Sequence, residues 1–126
     1  MISGIGTDLV FMPRIQQLLD KFGDKAAQKI LSEPEFIDFQ KASRPAAFLA
    51  KRFAAKEAAA KAFGCGFRAG LSLKHISVEN DKLGKPQLCF SAKAAELAAH
   101  QSITRSYLSL SDDGDYASAY VILTDR

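Results

Sequence analysis

The order of the sequence patterns predicts an α+β fold in which a largely antiparallel sheet packs against one long helix and several short ones. A strand-like segment opens the chain, helical periodicity continues to about residue 63, and short alternating segments dominate after residue 70. With 126 residues the chain has the length of one domain. We therefore expect a single domain over residues 1–126.

The opening segment, Ile2–Val10, is predicted to be a strand. Gly4 and Gly6 lie inside it, and glycine within a strand permits the close approach of another backbone. The strand ends close to the carboxylate of Asp8.

Three short helices are predicted to follow this strand. Pro13 stands where the first helix begins, and apolar residues at helical spacing continue to Gly23, which ends it. Asp24 is expected to cap the second helix. Ser32-Glu-Pro-Glu35 resembles the capped start of a third helix, which runs to about residue 42.

A long helix is predicted from about Pro45 to Phe63, with Gly64 ending it. At about 100° per residue, one arc of about 80° contains the apolar residues Leu49, Phe53, Ala60 and Phe63. Lys56 falls inside that arc, whereas Glu57 and Lys61 lie about 40° apart on the neighbouring face. A lysine within an apolar stripe either extends its amine to the surface or points at a buried anion.

The second half of the chain predicts strands with one helix among them. The alternating segments His75–Glu79 and Gln87–Phe90 are predicted to be strands joined by a turn. Ser91 is expected to cap a helix that runs to about residue 100. The alternating segments Tyr107–Ser111 and Ala117–Leu123 are predicted to form a final hairpin.

Charge and composition narrow the function classes. The net charge is +3 and the isoelectric point is near 8.9, which suits an anionic ligand or an acidic partner but is too weak to indicate nucleic-acid binding. No uncharged apolar run is long enough to span a membrane, and the N-terminus lacks the features of a signal peptide. Cys65 and Cys89 show no metal-ligand spacing, so we expect reduced thiols in a cytoplasmic protein.

Asp8, Glu57 and Lys61 form the candidate site. A carboxylate at a strand end and another on a helix beside lysines can together hold a hard cation and a phosphate. Each also has a structural interpretation, since Asp8 can belong to a surface turn and Glu57 with Lys61 can be a solvated helix pair. The surrounding alanines leave space for a ligand or for another helix, and we favour phosphoryl-type chemistry on an anionic substrate.

Three segments resemble the holo-acyl-carrier-protein synthases, the small bacterial group of 4′-phosphopantetheinyl transferases. They are GIGTDLVFMPRI near the start, FLAKRFAAKEAAAKAFG in the long helix and NDKLGKP before the predicted strand Gln87–Phe90, and the likeness continues to YASAYVI near the end. The resemblance implies the 4′-phosphopantetheinyl transferase fold and transfer of the phosphopantetheine arm of coenzyme A to a serine of apo acyl carrier protein, for fatty acid biosynthesis. It also implies release of adenosine 3′,5′-bisphosphate, a requirement for Mg²⁺, and a homotrimer with active sites between subunits.

The resemblance assigns the chemistry to three residues. Asp8 and Glu57 match the family's metal carboxylates, and Lys61 matches the lysine placed near the pyrophosphate. Lys61 would give charge or a proton to the leaving oxygen. Glu57 would accept the serine proton, either directly or through a water molecule on the metal.

The resemblance also implies residues that contact the ligand and the partner. The expected coenzyme A contacts are Arg52, Lys56, Gly64, Lys85 and Pro86. Tyr107 stands where many members carry a histidine that approaches the cofactor, and tyrosine can keep a hydrogen bond or a stacking contact there. Arg14 matches an arginine of the first helix that faces the acidic carrier protein.

Two other functions remain as alternatives. The first is a non-catalytic module that binds carrier protein or coenzyme A, if Tyr107 marks a degenerate site. Retention of both carboxylates, Asp8 and Glu57, argues against it. The second is nucleic-acid binding through a basic helix, which would need a dense lysine and arginine stripe with exposed aromatic residues, and the alanine-lined helix lacks one.

Overall fold

The computed structural model describes all 126 residues and contains five α-helices and five β-strands. The α+β prediction is confirmed. In chain order the elements are β1 (Ile2–Phe11), α1 (Met12–Phe22), α2 (Asp24–Ile30), α3 (Glu33–Lys41), α4 (Pro45–Phe63), β2 (Ile76–Asn80), β3 (Pro86–Phe90), α5 (Ala92–His100), β4 (Arg105–Asp113) and β5 (Tyr116–Thr124). A single 3₁₀ turn, Leu73–His75, precedes β2.

The strands form two antiparallel sheets. The larger sheet has the order β1-β5-β4, so that the last strand of the chain lies at its centre. The smaller sheet is the β2-β3 hairpin. In the larger sheet Asp8 of β1 lies opposite Ala119 of β5. Side chains alternate along a strand, so Gly4, Gly6, Asp8 and Val10 lie on one face of β1, and this face points toward α4.

The long helix α4 packs directly on β1 because two glycines remove the side chains between them. A Cβ atom on Gly6 would lie 1.8 Å from the carbonyl oxygen of Ala58, and one on Gly4 would lie 1.9 Å from that of Ala62. Backbone therefore meets backbone, as the glycines of the first strand predicted. This close approach brings Asp8, the next inward position after Gly6, against the face of α4.

Helix α4 is buried around most of its circumference rather than along one arc. Twelve of its nineteen residues are buried, eight of them alanines. Phe53, which the predicted arc included, is only partly buried. The reason is that α4 is enclosed by the sheet and by other helices, and alanine fits closely against all of these neighbours. None of the helices is long and apolar enough to cross a lipid bilayer.

Three local predictions differ from the structure. Asp24 is the first residue of α2 instead of its cap, and Gly23, with φ of 61°, takes the capping position. His75, predicted as the first residue of a strand, is the last residue of the 3₁₀ turn, and β2 begins at Ile76. Ser91 stands before α5 without a side-chain capping bond. The predicted cap of α3 is present: Ser32 and Glu35 form a reciprocal capping box.

Candidate active site

Asp8, Glu57 and Lys61 meet where β1 lies against the last turns of α4. The Lys61 ammonium donates to Asp8 Oδ1 at 3.1 Å and to the carbonyl oxygen of Thr7 at 3.0 Å. Glu57 lies one helical turn before Lys61 and faces the same way. The Lys61 side chain is exposed and that of Asp8 is largely covered, so the cluster opens to solvent on one side.

The electrostatics of the cluster make Glu57 a stronger base than an ordinary glutamate. Burial raises the pKa of its carboxyl above the usual 4.5, the negative charge of Asp8 raises it further, and the Lys61 ammonium opposes the shift. Two carboxylates thus lie close enough to repel each other. A carboxylate with a raised pKa holds a proton more tightly, which is what a general base near neutral pH requires.

The two carboxylates fit a divalent cation that a ligand helps to hold. No group of three or more histidine, cysteine, aspartate or glutamate residues is arranged to bind a metal by itself. Mg²⁺, however, is usually held by one or two carboxylates together with water and substrate phosphates. Burial is the main cause of the raised Glu57 pKa, and a cation between Asp8 and Glu57 would offset the repulsion between the two carboxylates that adds to it. The oxygen donors present therefore suit Mg²⁺ in the presence of a phosphate-bearing ligand.

Lys56 and Arg52 lie on another side of α4, where both face Glu35 of α3. Lys56 is 0% exposed. Its ammonium donates to Glu35 Oε1 at 2.6 Å and to the carbonyl oxygens of Leu73 and Ile76. Burial lowers the pKa of Lys56, against the opposing charge of Glu35. Of the two possibilities for a lysine in an apolar stripe, the structure shows the buried anion, and Lys56 is a core residue without access to a ligand.

Arg52 remains at the edge of a cavity of about 470 Å³ between α4 and the two sheets. Its guanidinium stacks on the ring of Phe48 at 4.5 Å from the ring centre. Pro86, another expected coenzyme A contact, lines the same cavity. Two further cations, Arg44 and Lys51, also line it. The structure thus brings Arg52 and Pro86 together at a basic cavity.

The remaining predicted contacts are spread over the surface of this chain. Gly64 ends α4 three residues after Lys61, in a left-handed conformation with φ of 86°. Lys85 is exposed in the β2-β3 turn. Tyr107 is 47% exposed and lies on the face of the larger sheet that points away from α4. Arg14 is exposed on α1. Tyr107 is therefore separated from the Asp8 cluster within one chain.

The sequence reasoning did not find Arg44, Lys51 or Asp112. Asp112 of β4 accepts from Arg44 at 3.4 Å and lies 3.8 Å from the Lys51 ammonium. Arg44 immediately precedes α4 and Lys51 lies in its second turn, so two basic residues near the start of the predicted helix were a usable signal. Asp112 could not be found in this way, because it reaches the cavity only through the packing of β4 near α4.

A family model for the 4′-phosphopantetheinyl transferase superfamily matches residues 4–121. That span includes the whole candidate site from Asp8 to Tyr107. This chain belongs to the 4′-phosphopantetheinyl transferase superfamily.

Within this superfamily, the chain is similar to holo-[acyl-carrier-protein] synthases. The holo-[acyl-carrier-protein] synthase of Nitrosospira multiformis is 51% identical over 123 residues, which are 98% of each chain. The crystal structure of the Neisseria meningitidis holo-[acyl-carrier-protein] synthase superposes with a TM-score of 0.92 at 44% identity, and covers 98% of this chain and 99% of its own. The Bacillus anthracis synthase, solved in complex with coenzyme A (3′,5′-ADP), has a TM-score of 0.80 at 38% identity and covers 98% and 96%.

These likenesses confirm the family and the enzyme class that the sequence motifs predicted. A phosphopantetheinyl transferase of this group acts on coenzyme A and acyl carrier protein, and the expected anionic substrate agrees with the basic cavity.

Proposed function

We propose that this chain transfers 4′-phosphopantetheine from coenzyme A to a serine of apo acyl carrier protein, with Mg²⁺, in fatty acid biosynthesis. The observation that carries this proposal is the cluster of Asp8, Glu57 and Lys61. It combines two carboxylates with one ammonium at an open edge of the fold. Such a set can hold a pyrophosphate through a shared cation and still provide a base for a hydroxyl nucleophile.

The reaction requires that the serine oxygen bond to the β-phosphorus of coenzyme A while the bond to the bridging oxygen breaks. The electron pair of that bond passes to the leaving phosphate, so adenosine 3′,5′-bisphosphate is released. Glu57 would accept the serine proton, directly or through a water molecule, and burial of its carboxyl, which raises its pKa, favours that role. Lys61 is placed to stabilise the charge that develops on the leaving oxygen. Mg²⁺, when bound, would add positive charge at the pyrophosphate.

The basic cavity is the proposed position of the nucleotide's 3′-phosphate. Arg52 precedes Lys61 by nine residues, so the two lie roughly 13 Å apart along the axis of α4. A single phosphate group cannot contact both. If Lys61 faces the pyrophosphate, the second anionic group of coenzyme A can reach Arg52, Arg44 and Lys51, with Pro86 beside it. Gly64 and Lys85 remain proposed contacts of the same ligand.

The proposed docking surface for acyl carrier protein lies on α1 and α2. Leu18 and Phe22 are exposed there and, with Ile30, line an apolar groove of about 290 Å³. Lys25 and Lys29 also line this groove, and the exposed Arg14 lies one helical turn before Leu18 on α1. An apolar centre with a positive rim suits an acidic partner, which it would also attract at long range.

The proposed homotrimer would use the open face of the larger sheet. That face exposes large apolar and aromatic side chains, which are Ile5, Leu9, Phe11, Tyr107, Tyr116 and Tyr120. A continuous apolar sheet face is unusual at a free surface and is typical of an interface. Burial of this face against further copies of the chain would place Tyr107 in a cleft between subunits.

The decisive experiment is intact-mass spectrometry of apo acyl carrier protein after incubation with this chain, coenzyme A and Mg²⁺. The carrier protein should gain one phosphopantetheine group, and an EDTA-treated sample should show no gain. A Glu57→Gln variant should also give no mass gain. The matched control is Glu96→Gln, at an exposed position of α5, and it should retain the activity. Binding of coenzyme A without any mass gain would instead support the non-catalytic module.

A further inference from the structure

Three charged side chains lie almost wholly inside the protein beside the basic cavity. Glu35 and Lys56 are 0% exposed, and Arg52 is 6% exposed. Two positive groups thus share a single buried carboxylate, and the trio carries a net positive charge that is opposed from outside it by the exposed carboxylate of Asp38. A buried charge without a partner is unfavourable, so this excess needs a physical reason.

The Glu35 carboxylate accepts three hydrogen bonds from other donors. Its Oε1 accepts from the Ser32 backbone N–H at 2.9 Å and from the Lys56 ammonium at 2.6 Å. Its Oε2 accepts from the Val78 backbone N–H at 2.8 Å. The capping box of α3 and the start of β2 therefore hold this carboxylate in place, and Lys56 supplies its charge partner.

Arg52 is left without a hydrogen-bonded anion. Its Nε lies 3.9 Å from Glu35 Oε2, which is beyond hydrogen-bonding distance. Nε is also the one buried side-chain polar atom in the chain without a partner. Stacking on Phe48 holds the guanidinium at the wall of the cavity instead. A buried arginine whose Nε makes no hydrogen bond, and whose ion pair with Glu35 is long, can bind a further anion at little cost.

We propose that Lys56 is a positioning residue that keeps Arg52 free for a phosphate of bound coenzyme A by occupying the Glu35 carboxylate. Without Lys56, Glu35 Oε1 loses its cation, and Arg52 needs to move only about 1 Å to form a charge-assisted bond with that carboxylate. Arg52 would then no longer attract a ligand phosphate. This inference rests on the proposed function, since coenzyme A is taken as the ligand of the cavity.

The test compares coenzyme A with dephospho-coenzyme A, which lacks only the 3′-phosphate. Isothermal titration calorimetry gives Kd for both ligands, and the ratio of the two values measures recognition of that phosphate. A folding defect lowers the active fraction for both ligands and leaves the ratio unchanged. Lys56→Met should reduce the preference for coenzyme A by about tenfold, because a hydrogen bond to a charged group contributes at least that much.

Removal of the competing carboxylate should restore the preference. In the double variant Lys56→Met/Glu35→Gln the competing charge of Glu35 is removed, while Asp38, the other carboxylate that acts on Arg52, is the same as in the wild type, so the ratio should return close to that of the wild type. Neutral pairs often replace buried ion pairs without loss of folding, so the double variant is testable even if Lys56→Met fails to fold. Loss of the preference in the double variant would overturn the proposal, as would an unchanged ratio in a folded Lys56→Met variant.

The wild-type measurement separates this proposal from the proposed function. If the wild-type chain binds neither ligand, or transfers no phosphopantetheine, the proposed function itself fails. If it transfers phosphopantetheine and prefers coenzyme A, but Lys56→Met keeps that preference, only the role of Lys56 fails. Lys93→Met of α5, which lies outside the trio, is the matched lysine control and should leave the ratio unchanged.

Discussion

Substitution of Gly6 by alanine should separate the two halves of the active site. The added Cβ would lie 1.8 Å from Ala58 O and 2.8 Å from both Ala58 C and Ala62 N, all of them backbone atoms of α4. Ordinary contact needs more than 3 Å, so the helix must retreat from β1 by more than 1 Å. Overpacking of this kind typically costs about 1–3 kcal/mol, and we expect the upper end because no flexible side chain can move aside.

The same displacement should also reduce catalysis. Asp8 moves with β1, whereas Glu57 and Lys61 move with α4, and a misplacement of about 1 Å can lower a rate by about 10²-fold. Urea unfolding measures the stability, and transfer to apo acyl carrier protein under conditions where the variant is folded measures the rate. Ser3→Ala, on the outward side of β1, is the control. Wild-type stability and turnover of Gly6→Ala would refute the proposed contact between glycine and helix.

Four further predictions concern the site and its surfaces. Asp8→Ala or Glu57→Ala should abolish Mg²⁺-dependent transfer while circular dichroism shows a native fold, and normal turnover in either variant would contradict the cation assignment. The raised pKa of Glu57 means that the folded chain binds its proton more tightly than the unfolded chain. Without Mg²⁺ the unfolding free energy should therefore fall as the pH rises from about 4.5 through that raised pKa, and Glu57→Gln should lack this decrease in urea titrations. Arg14→Glu should raise KM for acyl carrier protein more than KM for coenzyme A, since it reverses one positive charge of the proposed docking surface. If the variant and the wild type have equal KM values for acyl carrier protein, Arg14 does not belong to that surface. Sedimentation should give three times 13.7 kDa, and a monomer would argue against assembly through the open sheet face.

Local signals in the sequence were sufficient for much of the fold. Pro45 and Gly64 predicted both ends of α4, because proline suits the first turn of a helix and glycine adopts the left-handed conformation that ends one. The capping box of Ser32 and Glu35 was also recognised from its spacing. Gly4 and Gly6 indicated a close backbone approach, although the element that approaches them could not be named from the strand alone.

The candidate cluster was accessible to sequence reasoning in part. The four-residue spacing of Glu57 and Lys61 places them on one face of a helix whatever surrounds it. The meeting of that face with Asp8 could be inferred only through a family resemblance, because 49 residues separate Asp8 from Glu57 along the chain.

By itself the sequence determined the family, the helix ends and the residue types available for phosphoryl transfer, because these depend on local spacing and composition. Only the tertiary structure decided which charges meet. Lys56 and Lys61 belong to one helix and look alike in the sequence, yet one is neutralised by Glu35 in the core and the other faces Asp8 at the surface. The reason is that the partner of a charged side chain is set by long-range packing, here by the positions of α3 and β1 on opposite sides of α4.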